Sequence, residues 1–164
     1  MLFDFVMLIL LLMIWIWAFS FAPWLPTRSD KLDRIFELLH PTNKDIFCDL
    51  WCWDGRVVFY FANKWIQSSG YELAVFLYLF CRLKKFFTKS KKSEFIYWNF
   101  NNKNITDATI IYLFWMWNYI NKNKKFIRKL KSELKPWTRI VSFLFEIEWM
   151  EPIICENFIR IYRI

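Results

Sequence analysis

The sequence predicts an α/β domain with a doubly wound, mostly parallel sheet, preceded by one N-terminal transmembrane helix. Three observations lead to this prediction. Short apolar runs rich in β-branched residues alternate with amphipathic stretches of helical length, and such alternation is typical of parallel strands joined by right-handed helical crossovers. The length of 164 residues suits a single domain. An uncharged run of 18 residues stands before the first of these elements.

The uncharged run, Phe5–Ala22, just reaches the length that crosses a bilayer. No Lys or Arg precedes it, as a secretory signal would require, although Ala18-Phe19-Ser20 is a passable cleavage triplet and keeps that alternative open. The first basic residue after the run is Arg28, which predicts that the following chain lies in the cytoplasm. We therefore expect a single-pass membrane protein, with residues 1–27 as the anchor and its Pro-rich exit and residues 28–164 as the cytoplasmic domain.

The helices and strands of the domain follow from local periodicity and from its breaks. Apolar residues return at helical spacing in residues 28–39, where Pro41 follows, and Lys135-Pro136 closes the last helical stretch. Ala108–Phe114 is an apolar, β-branched run suited to a central parallel strand. In chain order, we expect helices at residues 28–39, 56–64, 74–87 and 119–134, and strands at 45–50, 67–73, 94–100, 108–114, 138–145 and 157–164.

The composition excludes several classes of protein. Hydrophobic residues make up 57% and charged residues 23% of the chain, which allows a core and excludes global disorder. With 2 Gly, 5 Pro and 4 Cys, the chain is neither collagen-like nor a disulfide scaffold. The cysteines form no Cys-x-x-Cys pair and His40 is the sole histidine, so we expect reduced thiols and no metal site.

The polar residues that could hold a ligand lie at the ends of the first two strands. Asp49 closes the first strand and precedes the turn at 51–55, and Glu72 closes the second strand, 23 positions after Asp49. Ligands bind beyond the carboxyl ends of such strands, and an acidic residue at this distance holds nucleoside ribose hydroxyls. The alternatives are plain cap or turn residues for Asp49 and Asp54, and a surface carboxylate for Glu72.

This turn resembles the nucleoside-binding turn of class I S-adenosylmethionine (SAM)-dependent methyltransferases, whose form is Asp-x-Gly-x-Gly-x-Gly. Here the segment is Asp49-Leu50-Trp51-Cys52-Trp53-Asp54-Gly55. Over roughly residues 1–152 the chain resembles a subgroup of small membrane-anchored methyltransferases, which includes mitochondrial protein-lysine methyltransferases and bacterial relatives. The elements that carry this resemblance are Pro23-Trp24-Leu25-Pro26-Thr27, Gly70-Tyr71-Glu72-Leu73 and the Lys-Leu-Lys-Ser-Glu-Leu-Lys-Pro-Trp-Thr-Arg-Ile-Val segment from Lys129 to Val141.

The resemblance implies a seven-strand-type, Rossmann-like methyltransferase sheet, SAM as the cofactor, and a set of site residues. Asp49 and the turn would hold the methionine part and the ribose side of SAM, and Glu72 would accept from the ribose hydroxyls. Asn99 and Phe100 would flank the adenine, unless they are a plain strand end with a core Phe. The implied cofactor-binding residues are Asp49, Trp51, Cys52, Trp53, Asp54, Gly55, Glu72, Asn99 and Phe100.

The residues around the transferred methyl are less defined. By resemblance, Tyr112–Phe114, at the end of the fourth strand, would face the methyl group. Thr27 would either line the pocket or act as an N-cap before the first helix of the domain. No catalytic residue follows from the pattern, and Glu146 and Glu148 are candidates for a general base by position only.

The tryptophans depart from the family pattern systematically. Trp51, Trp53 and Trp137 fall where the family has glycine, and Trp65 and Trp98 lie at turn-like or Gly-compatible places. The 2 glycines and 11 tryptophans together come near the ordinary glycine share of about 7%. We therefore expect that most of these tryptophans are glycines whose UGA codons were read as tryptophan. The alternative is a genuinely Trp-rich protein, in which indoles block the pocket and leave it inactive.

Three functions compete. The leading prediction is a membrane-anchored SAM-dependent methyltransferase that acts on protein lysine, with the membrane and a protein substrate as partners. The second is an RNA or small-molecule methyltransferase, in which the basic runs at 84–92 and 122–135 bind phosphates instead of being solvated helix faces of a chain with net charge +8. The third is a non-catalytic anchored domain that keeps the fold as a scaffold.

Overall fold

A computed structural model of the protein describes residues 6–9, 27–97, 104–114 and 117–164, without the side chain of residue 117. Within these ranges seven strands form one sheet. The strands are β1 (Ile46–Asp49), β2 (Gln67–Glu72), β3 (Ser93–Tyr97), β4 (Ile110–Phe114), β5 (Arg139–Phe143), β6 (Ile154–Glu156) and β7 (Ile159–Arg163). The domain's helices are α1 (Ser29–Leu39), α2 (Arg56–Asn63), α3 (Val75–Thr88), α4 (Trp117–Lys122) and α5 (Lys124–Glu133).

The strand order is β3-β2-β1-β4-β5-β7-β6. The first five strands of this order are parallel, whereas β7 runs antiparallel to both β5 and β6. The predicted doubly wound, mostly parallel sheet is therefore confirmed. The order reverses between β1 and β4, and Asp49 at the end of β1 lies in register with Gly70 of β2 and Tyr112 of β4. Ligands of such sheets bind at this reversal, beyond the carboxyl ends of the strands.

Helices cover both faces of the sheet because successive strand residues point to opposite sides. Phe47 and Ile110 face one side, and their neighbours Cys48 and Ile111 face the other. The first side is covered by buried residues of α1 and α2, namely Leu32, Ile35, Leu39, Val57 and Phe61. The second side is covered by buried residues of α4 and α5, namely Ile120, Phe126 and Leu130.

Two predicted elements differ from the structure. The helix expected at 119–134 is divided into α4 and α5, since the Asn123 side chain accepts from the backbone N–H groups of Lys125 (3.1 Å) and Phe126 (3.0 Å) and starts a new helix. The strand expected at 157–164 is β7, but β6 was not predicted, because three residues are too few to show a period of two. The expected third strand is described only as far as Tyr97.

The expected membrane anchor falls almost wholly outside the described residues, which include only 6–9 and Thr27 of the first 27. In the parts of the chain that the structure describes, no helix combines the length and the apolar character needed to cross a bilayer. The first helix of the domain begins at Ser29, close to the expected position.

Candidate cofactor site

The turn between β1 and α2 is fixed to β2 through its backbone. Asp49 is 2% exposed, and its Oδ1 accepts from the backbone N–H of Trp51 at 3.2 Å. The N–H of Cys52 donates to the carbonyl of Tyr71 in β2 at 3.0 Å, and the N–H of Gly55 donates to the carbonyl of Cys52 at 2.7 Å. The chain therefore leaves β1, touches β2 and turns at once into α2.

The two glycines of the chain both lie where a side chain does not fit. Gly55 has φ +73°, and a Cβ there would come within 2.6 Å of the Phe95 ring. A Cβ at Gly70 would lie 2.7 Å from the Sγ atom of Cys52. Contacts this short exclude alanine at either position without movement of the neighbours. The close approach of the turn to β2 thus depends on Gly70, and its packing against Phe95 of β3 depends on Gly55.

Glu72 lies directly beside this turn. The residue is 6% exposed, so the alternative of a surface carboxylate is wrong. Oε2 accepts from the backbone N–H of Trp53 at 2.9 Å, and Oε1 accepts from the N–H groups of Leu73 and Ala74, each at 2.9 Å. The structure therefore brings Asp49, the turn and Glu72 together at the carboxyl edge of the sheet, as their spacing predicted.

Burial controls the charge of the two acids. It raises the pKa of Asp49 to about 8, with nearby Glu72 and Asp54 adding to the effect and the hydrogen bond from Trp51 opposing it. Burial also raises the pKa of Glu72, although three backbone N–H groups oppose the shift. For Asp54, burial is outweighed by hydrogen bonds from Arg56, whose Nη2 lies 2.7 Å from Oδ2, and the pKa is lowered. The site thus presents two buried acids and one ion-paired acid.

A thiol contact holds α3 against the turn and was not predicted. Sγ of Cys81, which is fully buried in α3, donates to the carbonyl of Trp53 at 3.0 Å. A hydrogen bond with Cys81, together with burial, raises the pKa of the Cys52 thiol. The four cysteines of the chain are free thiols. No local pattern marks this contact, because Cys81 and the turn meet only through the packing of α3.

The segment before α1 also reaches the site. Thr27 is 5% exposed, and its Oγ1 lies 2.9 Å from the hydroxyl of Tyr112 in β4, whose pKa is raised by burial. Arg28 occupies the N-cap position of α1, and no side chain caps that helix. The alternative of Thr27 as an N-cap is therefore wrong, and the chain enters α1 next to the carboxyl end of β4. Leu113 and Phe114 were also expected to face the methyl group. Leu113 is buried in the core, and the Phe114 ring stacks on the Phe143 ring with 5.6 Å between centroids.

Two of the tryptophans in turns have a backbone conformation that favours glycine. Trp53 has φ +50° and Trp65 has φ +65°, a region that bulky residues adopt at a cost of about 1–3 kcal/mol. Trp65 and Trp137 expose 71% and 62% of their surface. Trp149 is different, because its Nε1 donates to the carbonyl of Ile120 at 3.1 Å. Trp53 and Trp65 thus have backbone angles that glycine adopts without strain, whereas the Trp149 indole is held by a hydrogen bond.

The end of β1 carries groups that can hold a nucleoside cofactor. The backbone of the turn and the buried acids Asp49 and Glu72 fit such a group. The Trp51 indole lies edge-on to the Tyr119 ring, at 5.0 Å between centroids, and takes space at the end of β1. The backbone and the two carboxylates therefore fit a nucleoside cofactor.

Two groups of predicted residues remain. Asn99, Phe100 and Trp98 fall outside the described residues. Glu146 and Glu148 are exposed, and their backbone carbonyl and N–H groups bond the Asn121 side chain at 2.9 Å each, which ties α4 to the segment after β5. No group of three or more metal-ligating side chains occurs within the described ranges.

Comparison with known proteins places this geometry among methyltransferases. No protein-family profile matches the chain. A curated protein-lysine N-methyltransferase from Saccharolobus islandicus (strain REY15A) is 29% identical over 139 residues, which cover 80% of this chain and 81% of that protein. The crystal structure of an RNA methyltransferase from Salinibacter ruber in complex with S-adenosyl-L-homocysteine is 26% identical, with a TM-score of 0.73, and covers 85% of this chain and 92% of that one.

A third relative shares the fold alone. A SAM-dependent methyltransferase from Thiobacillus denitrificans, crystallised with S-adenosyl-L-homocysteine, is 13% identical with a TM-score of 0.60, over 75% of this chain and 51% of that one. The predicted Rossmann-like methyltransferase sheet is confirmed by these likenesses. The predicted enzyme class, a SAM-dependent methyltransferase, and the predicted cofactor, SAM, are confirmed as well.

Proposed function

We propose that this SAM-dependent methyltransferase transfers the methyl group of SAM to lysine side chains of a protein at a membrane. The observation that carries the proposal is the pair of buried acids, Asp49 and Glu72, on either side of the turn at the sheet's reversal point. The lysine acceptor is supported by the curated relative, which is a protein-lysine methyltransferase. Attachment to the membrane is supported by the 18 uncharged residues of Phe5–Ala22.

The residues of the site then take defined roles. SAM supplies the electrophilic methyl group, so the protein's task is mainly to position it against the acceptor. Glu72 would accept hydrogen bonds from the ribose hydroxyls through Oε2, the oxygen that faces the turn. Asp49 fixes the start of the turn through the N–H of residue 51. Thr27 and Tyr112 would close the pocket on the side of β4.

The functional protein would carry glycine at positions 51, 53, 65 and 137. The left-handed backbone of residues 53 and 65 supports this assignment, because glycine adopts it without strain. The exposed indole of Trp137 supports it too, as does the small number of encoded glycines, 2 of 164. The codons test the assignment directly. UGA at these positions is expected, and UGG at positions 51, 53 and 137 would show that the tryptophans are genuine.

A binding experiment tests the function together with this assignment. We expect the Trp51→Gly/Trp53→Gly protein to bind SAM in calorimetric titration with micromolar affinity, about −8 kcal/mol, and the protein with both indoles to show no heat of binding. Trp149→Gly is the matched control, since it removes a hydrogen-bonded indole outside the turn and restores no binding. Absence of SAM binding by the doubly substituted protein would defeat the proposal.

RNA is the second candidate acceptor, and one structural relative at 26% identity is an RNA methyltransferase. The exposed face of α5 supports it, because a shallow surface depression there is lined by Lys124, Ile127, Arg128, Lys131 and Ser132. Transfer of a labelled methyl group to total RNA and to membrane protein separates the two acceptors. Labelled RNA, with activity that falls steeply as salt rises, would replace lysine by RNA in the proposal.

A further inference from the structure

Helix α3 exposes apolar side chains where a domain helix normally exposes polar ones. Cys81 is the one fully buried residue of α3. The outward residues recur at positions separated by three and four, which places them on one side of the helix. They are Val75, Phe76, Leu79, Phe80, Leu83, Phe86 and Phe87, with exposed fractions between 46% and 74%. Together they form the apolar stripe of α3, of a kind that marks an interaction surface.

Positive charge accompanies this stripe. Residues 73–93 contain no Asp or Glu but six basic residues, namely Arg82, Lys84, Lys85, Lys89, Lys91 and Lys92. Lys84 is already engaged, since its Nζ lies 3.4 Å from the carbonyl of Asp54 and 4.9 Å from the centre of the Phe59 ring. Lys89 and Lys91 follow the end of the helix and are exposed. The surface is therefore both apolar and cationic.

We propose that the apolar stripe of α3 lies in the headgroup region of an anionic lipid bilayer. A helix with a broad aromatic and aliphatic face and nearby lysines has the composition of interfacial helices. Each lysine near an anionic surface adds to the attraction. The uncharged segment Phe5–Ala22 in the same chain would hold the domain close enough for this contact. The proposal does not depend on methyl transfer or on the identity of the acceptor.

Two other candidate partners match the apolar and cationic character of the stripe less well. A second copy placed symmetrically on the stripe would bring two sets of six basic residues together and be repelled. The chain's own residues 5–22 could cover apolar side chains but carry no charge to pair with the lysines. Anionic lipid satisfies both features at once. Because α3 begins three residues after Glu72, such docking would also hold the site near the bilayer.

The test uses the full chain in nanodiscs of anionic lipid that carry a shallow spin-label quencher. A fluorophore is attached through Phe80→Cys on the stripe or through Ser132→Cys on α5, which covers the opposite face of the sheet. Both are made in a Cys155→Ser background, since the other three cysteines are buried. We expect the lipid quencher to remove roughly half of the emission at position 80 and little at position 132.

A charge variant completes the test. Lys89→Glu/Lys91→Glu/Lys92→Glu should reduce quenching at position 80 severalfold, and neutral lipid should do the same. Equal quenching at positions 80 and 132 would overturn the proposal. Weak quenching at position 80 with blue-shifted emission would also overturn it, because the stripe would then be covered by protein. Titration of SAM into the same preparations reports the cofactor site separately, so failure of one proposal does not resemble failure of the other.

Discussion

An acidic residue lies at each end of strand β1, Asp45 just before the strand and Asp49 at its last position. The two side chains have opposite environments. Asp45, just before the strand, accepts from Nη2 of Arg139 at 2.5 Å, from the hydroxyl of Thr109 at 2.6 Å and from the N–H of Thr42 at 2.7 Å. Asp49, at the other end, is more deeply buried, and its Oδ1 accepts from the N–H of Trp51 at 3.2 Å. Burial would raise the pKa of Asp45, but its partners lower it, whereas the pKa of Asp49 is raised to about 8.

The two ends of β1 therefore have different roles: the amino end stabilises the fold, and the carboxyl end carries the candidate site. At the amino edge of the sheet, Arg139 also donates to the carbonyl of Leu39, and Thr138 donates to the carbonyl of Ala108 at 3.1 Å. These contacts join α1, β1, β4 and β5. The carboxyl edge instead carries buried acids whose ionised form costs free energy, an arrangement typical of sites that await a polar ligand. The Thr138-Arg139 part of the family-like segment is thus structural.

The largest expected effect is on the amino edge. Asp45→Ala should lower the free energy of unfolding by about 3 kcal/mol, because it leaves the largely buried Arg139 guanidinium without its carboxylate. Urea unfolding measures the change. Asp107→Ala is the control, since Asp107 is 89% exposed, its contact with Lys135 is 3.9 Å long, and it should matter by less than about 0.5 kcal/mol.

The affinity of Asp45→Ala for SAM is the second measurement on this variant. In the protein with glycine at positions 51 and 53, Asp45→Ala should leave the Kd for SAM within about twofold, since the substituted side chain lies at the edge opposite the turn. A loss of binding without a loss of stability would reverse the assignment of the two edges.

The next effect in size is on the carboxyl edge. Glu72→Gln in the glycine form should raise the Kd for SAM about thirtyfold, or about 2 kcal/mol, because an amide nitrogen cannot accept from a ribose hydroxyl. The remaining amide oxygen can still accept from the N–H groups of Leu73 and Ala74, whereas the hydrogen bond from the N–H of residue 53 to Oε2 is lost. Glu94→Gln, on the exposed side of β3, is the control. An unchanged Kd would place the ribose elsewhere.

Much of this comparison could be predicted from sequence, and the exceptions have physical reasons. Periodicity and the order of motifs predict the parallel strands and the meeting of Asp49 with Glu72, because parallel strands end at one edge. The contact of Thr27 with Tyr112 spans 85 residues and has no local signal. The exposed apolar face of α3 could not be predicted from the sequence for a similar reason. Its composition shows an apolar helix, but only packing decides which side of a helix faces the core.

Over any single pH unit, the expected effect of pH is the smallest of the three. The pKa of Asp49 is about 8 in the folded protein against the ordinary 3.8, so the folded state holds a proton that the unfolded chain releases over this interval. Stability from this group is present at low pH and is lost as pH rises toward 8, at up to about 1.4 kcal/mol per pH unit. Asp49→Asn carries no such proton. Relative to the parent, it should therefore gain free energy of unfolding steadily between about pH 5 and 7.

Urea unfolding of the parent and of Asp49→Asn across that interval gives the difference directly, because the other titrating groups cancel. Asp45→Asn provides the contrast. The pKa of Asp45 is lowered below 3.8, so its stabilisation is complete above that value and is lost only as pH falls through the folded pKa. The Asp45→Asn difference should therefore stay flat where the Asp49→Asn difference rises. Two flat lines would mean that Asp49 titrates as an ordinary carboxyl, and the distinction between the two ends of β1 would then rest on hydrogen bonds alone.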